Sequence, residues 1–261
     1  MGETYSVITG ASQGLGKSFA LELASNKVNV ILISLPNEGL PDLCFQIKEN
    51  YNVSAVYYET DLSVRKNILQ VCAWINRNFK VNTLINNAGT GGTRRFEEAP
   101  SAYIEQIIEL NVLATTLLTH QLLSNLKCQK QSYILNVSSL AAFTPIGYKT
   151  VYPASKAFVH SFSRGLYQEL KGTNVFVSVV HPGPMMTNPG IRKRIEGQGF
   201  FAKITSLNPD RVARYCIRQL YRKDTVIMVN HFSWLLLKLL PIWIKLPVLT
   251  GKVKKELNLS S

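Results

Sequence analysis

The sequence predicts a doubly wound α/β fold, a parallel sheet of about seven strands with helices on both faces. Three observations carry that prediction. Short apolar runs alternate with longer helical patterns along the whole chain. Most of those runs are continuously apolar and β-branched, as parallel strands covered on both faces are, and lack the alternation of a sheet with one wet face. The chain has 261 residues, 46% hydrophobic and 17% charged, enough for a sizeable core. The same balance excludes a disordered chain, and 16 glycines, 11 prolines and 4 cysteines exclude collagen-like and disulfide-scaffold classes.

In order, the first strand is expected over 6–9, followed at once by a glycine-rich turn and a helix over 15–26. The run at 28–33 gives the second strand, ending Ile33-Ser34-Leu35-Pro36, with a helix over 39–49. A third strand at 54–58 precedes a helix over 63–78. A short fourth strand at 83–85 leads through Asn86-Asn87 toward a long helix over 101–126. The fifth strand, 133–137, stops at Ser138-Ser139, and a helix over 151–171 follows. Strands at 175–180 and 226–229 flank a last helix over 209–222. Sheets of this type bind ligands outside the carboxyl ends of their strands, and every motif below falls there or on the helix that follows.

The loop after the first strand reads Thr9-Gly10-Ala11-Ser12-Gln13-Gly14-Leu15-Gly16-Lys17. Its glycines let the backbone turn tightly and approach a pyrophosphate, which the next helix meets with its free N-terminal amides. It is not a P-loop, because Lys17 follows Gly16 directly and no GK[ST] forms. Further on, Tyr152 and Lys156 stand at i and i+4 on one helix face. That spacing suits a phenol as general acid with an ammonium beside it to lower its pKa. Before Tyr152, the fifth strand ends in Ser138-Ser139, where a hydroxyl can bond a substrate carbonyl oxygen.

With these motifs the chain resembles the short-chain dehydrogenase/reductase family in its single-domain, Rossmann-like form, over roughly residues 5–230. Thr9-Gly10, Gly14 and Gly16 resemble its cofactor loop, and Asp61-Leu62 its adenine-contacting pair. Asn86-Asn87-Ala88-Gly89 matches its NNAG, and Asn111 its helix asparagine. Ser139, Tyr152 and Lys156 match its serine, tyrosine and lysine, and Pro182-Gly183 with Thr187 its segment beside the nicotinamide. The resemblance implies hydride transfer between a nicotinamide cofactor and a carbonyl or alcohol. Tyr152 would donate the proton, Lys156 would hold the ribose, Ser139 would orient the carbonyl, and Asn111 would fix a relay water. The cofactor residues it implies are Gly10, Ser12, Gln13, Gly14, Leu15, Gly16, Ser34, Asp61, Leu62, Asn87, Ala88, Gly89, Tyr152, Lys156, Pro182, Gly183 and Thr187. Residues 1–230 would form the NAD(P)-binding domain, with a lid near 184–206, and 231–261 a basic, apolar C-terminal extension.

No acidic residue ends the second strand and no arginine stands at 35, a departure from both NAD and NADP patterns. Ser34 can bond a phosphate, so NADP(H) is expected over NAD(H). The lid region, with Met185, Met186, Ile191, Phe200 and Phe201, suits a hydrophobic substrate. A 3-keto sphingoid base, a 3-oxoacyl chain or a steroid-like ketone would fit. The rivals are an NAD-dependent alcohol or steroid dehydrogenase and a non-catalytic nucleotide-binding protein. A homodimer or homotetramer is expected, with no nucleic-acid partner and no metal.

The net charge is +13, concentrated in the last quarter of the chain. There Trp234 to Leu246 mixes tryptophans, leucines and isoleucines with Lys238 and Lys245. This fits either a peripheral segment on an anionic membrane or an extension packed on the domain or a second subunit. Pro241 and Pro247 are expected to prevent one long helix there. No run of about 18 uncharged apolar residues exists, so no spanning helix is expected. Met1-Gly2 to Ser6 fits a loose myristoylation pattern, discounted because 5–9 reads as a buried strand, and no secretory signal is expected. Cys44, Cys72, Cys128 and Cys216 show no metal or redox spacing, which suits reduced thiols in a cytoplasmic protein, peripheral at a membrane if the tail docks there.

Overall fold

The computed structural model of the chain describes residues 4–183, 185, 207–230, 234–235 and 239–258. Seven strands form one sheet: β1 (Tyr5–Thr9), β2 (Asn29–Ser34), β3 (Ala55–Glu59), β4 (Val81–Asn86), β5 (Ser132–Val137), β6 (Val175–His181) and β7 (Val226–Met228). Their order is β3-β2-β1-β4-β5-β6-β7, and every pairing is parallel. The chain winds outward from β1 to β3 and then returns to place β4 on the other side of β1. That reversal opens a crevice above the carboxyl ends of β1 and β4.

Helices cover both faces. On one side α1 (Gly14–Ser25), α2 (Leu40–Tyr51) and α7 (Pro209–Tyr221) pack Leu15, Phe19, Leu23, Leu43, Val212 and Leu220 against Ile8 and Leu32. On the other, α3 (Arg65–Asn78) and α5 (Thr115–Lys127) pack Ile68, Val71, Ile75, Leu118 and Leu122 against Val7, Ile31 and Ile33. Successive strand residues thus enter opposite cores, which is why the runs are apolar without alternation.

The expected elements form within one to three residues of their predicted bounds, with two informative departures. The helix expected over 101–126 is three pieces: α4 (Ser101–Ile108), a π-helical stretch (Glu109–Ala114) and α5. The wider turn rotates buried Asn111 toward the crevice. The other departure is a correction. The prolines do not prevent a long terminal helix, because α8 spans Ile242–Asn258 with Pro247 inside it. Pro241 lies just before the helix, and Pro247 costs it only the bond that would run to the Trp243 carbonyl.

The fourth strand reaches beyond 83–85 because its polar residues find partners inside the protein. Asn86 donates to Asn136 Oδ1 at 2.8 Å and to Thr119 Oγ1 at 2.9 Å, and Asn136 donates to Ser163 at 2.9 Å. These bonds tie β4 and β5 to helices α5 and α6 (Val151–Glu169), although Asn86 Oδ1 is left buried without a partner among the described residues. Among the described residues, no helix is long and apolar enough to cross a membrane.

Candidate active site

The glycine loop and the strand-four motif are fastened to one another. Gly10 sits at φ +63°, and α1 begins at Gly14. Asn87 Nδ2 donates to the Thr9 carbonyl at 2.9 Å and the Gly10 carbonyl at 3.2 Å. Thr9 Oγ1 accepts from the Asn87 and Ala88 amides, each at 3.0 Å. A β-carbon at Gly16 would overlap the Gly10 carbonyl and stand 2.6 Å from Asn87 Nδ2. The loop is therefore a cradle that only glycine leaves open, with the start of α1 below it. That is the form a dinucleotide pyrophosphate requires, so the residues present fit a nicotinamide cofactor.

The catalytic candidates converge at the same crevice. Ser139 stands beside the Tyr152 phenol, near enough to draw its pKa down. Lys156, one turn along α6, is buried and donates to the Val137 carbonyl at 2.9 Å, with Nζ 5.9 Å from the Tyr152 ring centre. Ser138 turns the other way and donates to the Lys156 carbonyl at 2.7 Å. The two serines thus divide the work: Ser139 faces the phenol, and Ser138 anchors α6 to β5. Asn111 Nδ2 donates to Ser155 at 2.9 Å and to the Thr90 carbonyl at 2.8 Å, while its Oδ1 accepts from the Thr90 amide at 2.8 Å. A β-carbon at Gly89 would lie 3.0 Å from Asn111 Oδ1 and 3.1 Å from Lys156 Nζ, so these two groups meet beside the NNAG turn.

The electrostatics differ from the sequence expectation. Burial raises the Tyr152 pKa above its ordinary value, and the Ser139 hydrogen bond pulls it partly back. Burial also pushes Lys156 down from 10.5 to about 8. Desolvation outweighs the ammonium's pull on the phenol because Lys156 aims its charge at a backbone carbonyl. A neutral phenol next to a lysine that titrates near neutral pH is arranged to give up a proton and have it replaced.

The remaining predicted residues divide. The Pro182 carbonyl accepts from the Leu140 amide at 3.1 Å, which holds Pro182-Gly183 beside the Ser139 turn. Leu62 is buried, and Asp61 accepts from the Ser63 amide at 2.8 Å and hydroxyl at 2.7 Å, just past β3. Thr187 and most of the predicted lid lie outside the described residues. The Ser12 and Ser34 hydroxyls lie 2.8 Å apart, and both reach Glu38 Oε2, Ser34 at 2.6 Å and Ser12 at 2.5 Å. Glu38 was missed because the search for an acidic residue stopped at the strand end, and the turn through Pro36 brings it back. Thr90 and Ser155 were also missed, and Thr9 and Ser138 were named only as parts of their motifs. All are supports whose partners lie far along the chain or on the backbone, beyond any spacing rule.

The comparisons agree with this geometry. The short chain dehydrogenase family matches residues 5–196. This chain is a short-chain dehydrogenase/reductase. The dehydrogenase is 33% identical over 182 residues to the very-long-chain 3-oxoacyl-CoA reductase of Anas platyrhynchos, covering 68% of this chain and 58% of that protein. It is 31% identical over 180 residues to the inactive hydroxysteroid dehydrogenase-like protein 1 of Rattus norvegicus, covering 68% of this chain and 54% of that one. The dehydrogenase thus spans little more than half the length of these curated relatives. Among solved structures it resembles the short-chain dehydrogenase from Sphingobium yanoikuyae in complex with NADPH, with TM-score 0.79, 24% identity and 88% and 89% of the two chains covered. At that identity the likeness concerns the fold.

Proposed function

We propose that the enzyme transfers a hydride between NADP(H) and the carbonyl or secondary alcohol of a hydrophobic, lipid-type substrate such as a 3-keto acyl or 3-keto sphingoid chain. The observation that carries this is Ser139 set beside the Tyr152 phenol, with Lys156 buried one turn along α6. In reduction Ser139 holds the substrate carbonyl oxygen and Tyr152 passes its proton to that oxygen. Lys156 and Asn111 lead the replacement proton inward from solvent. The cofactor supplies the hydride, its pyrophosphate held by the Gly10–Gly16 loop and its nicotinamide end by Asn87, Ala88, Gly89, Pro182 and Gly183. The 3-oxoacyl-CoA reductase relatives support a fatty carbonyl as substrate. Residues 1–230 form the catalytic domain in this reading. Exposed Ile108 on α4 and Phe158 on α6 suit a homo-oligomer built through those helices.

A second reading, NAD(H) with oxidation of an alcohol, has Glu38 in its favour. A carboxylate bonded to both Ser12 and Ser34 suits a ribose diol and repels a 2′-phosphate. Titration with NADPH and with NADH, followed by turnover assays on a 3-oxoacyl thioester, tests both readings. Tighter NADPH binding with reduction of the thioester is the expected result. Tighter NADH binding moves the assignment to the second reading, and binding of neither cofactor overturns both.

A further inference from the structure

Helix α8 is docked on the segment that joins the two catalytic motifs. Lys245 Nζ donates to the Phe143 carbonyl at 3.1 Å, and Thr250 Oγ1 accepts from the Gly147 amide at 3.0 Å. A β-carbon at Gly147 would come within 2.6 Å of Thr250 Cγ2, so the missing side chain is what lets the helix approach. The next residue, Tyr148, accepts from the Arg94 amide at 2.8 Å. Three residues before Arg94, a β-carbon at Gly91 would press on the Tyr152 ring at 2.5 Å. Helix α8, residues 143–148 and residues 91–96 are therefore one connected rim beside Tyr152.

That rim is apolar where a water-facing rim would be polar. Leu239 is 71% exposed, Trp243 73%, Phe96 61%, and Ile242 and Val248 54% each. Val253 points inward and is buried, and Ile242 begins the same stripe, so the exposed apolar side chains cluster at the N-terminal end of α8 while its outer face carries Val248, Lys252 and Lys255. Arg94, Arg95, Lys252, Lys254 and Lys255 are exposed on the same elements, against exposed Glu97 and Glu98. A tryptophan and aliphatic side chains set among lysines match the layered chemistry of a bilayer surface, apolar within and anionic at the headgroups. No described helix is long and apolar enough to cross a membrane.

We propose that α8 is an interfacial helix that docks the enzyme on an anionic lipid surface and sets the entrance to Tyr152 against it. The docking stands on the exposed side chains alone, and its use for substrate entry rests on the proposed function. The test is co-sedimentation of the full chain with phosphatidylcholine vesicles, with and without phosphatidylserine. Binding to the phosphatidylserine vesicles, weakened by salt, is expected. The double variant Leu239→Glu/Trp243→Glu should bind roughly tenfold more weakly or worse, with nicotinamide binding intact. Lys252→Glu/Lys254→Glu/Lys255→Glu should lose the phosphatidylserine preference and serves as the second variant. Absence of vesicle binding by the full chain, or unchanged binding by the variants, overturns the proposal. A double variant that turns a dimer into a monomer while still binding vesicles also overturns it, in favour of a second copy of the chain. Turnover on a short soluble ketone keeps the two readings apart, since its absence with vesicle binding intact counts against the function and leaves the docking standing.

Discussion

The two ends of the crevice are held in different ways. At the catalytic end, Asn111, Ser138, Ser155 and Lys156 are all buried and bond to one another or to backbone carbonyls. At the opposite end, buried Ser34 closes β2 and meets Ser12 and Glu38 from the turns after β1 and β2, beside exposed Leu35, Pro36 and Asn37. The first end is a set of groups that no single change leaves satisfied. The second is a surface turn whose residues can be exchanged at little cost to the fold. In the proposed function, reaction class would belong to the buried end and cofactor choice to the exposed one.

The largest expected effect lies at the buried end. Tyr152→Phe removes the proposed proton donor and should lower turnover roughly 10²–10⁴-fold, far more than it weakens cofactor binding in the same titration. Turnover near the wild-type rate would show that the proton comes from elsewhere. At the exposed end, Glu38→Gln should move the ratio of NADPH to NADH affinity about tenfold toward NADPH, with stability little altered. An unmoved ratio would detach Glu38 from the 2′ position and erase the contrast drawn above.

The smallest effect at neutral pH is a sharpening one. Lys156 titrates near 8 because it is buried, so kcat/KM for reduction should fall as pH rises past about 8. Lys156→Arg keeps its charge and should displace that fall to higher pH, and a wild-type profile flat between 7 and 9 would break the proton-relay assignment. The same burial affects stability. The unfolded chain holds this proton up to 10.5 while the native one releases it near 8. The penalty for burying the charged lysine is therefore full below about 8 and is relieved as pH rises to 10.5.

Much of this was legible in the chain. The continuously apolar runs located every strand, because a strand buried on both faces tolerates no exposed register. Asn87, Ser139, Tyr152 and Lys156 were legible because they follow strand ends at short, fixed spacings. Asn111 was found by its motif, yet the π-helical turn that carries it was not. That turn comes from packing between α4, α5 and α6, not from local propensity.

By itself, then, the sequence determined the sheet and the glycine cradle, which depend on periodicity and near-neighbour spacing, and through its family resemblance it nominated the candidate reacting groups. Tertiary structure alone decided that Glu38 returns to Ser12 and Ser34, that burial outweighs charge at Tyr152, and that α8 continues through Pro247 to rest on Gly147. Each of these depends on what lies across space from a residue, and distance along the chain carries no record of it.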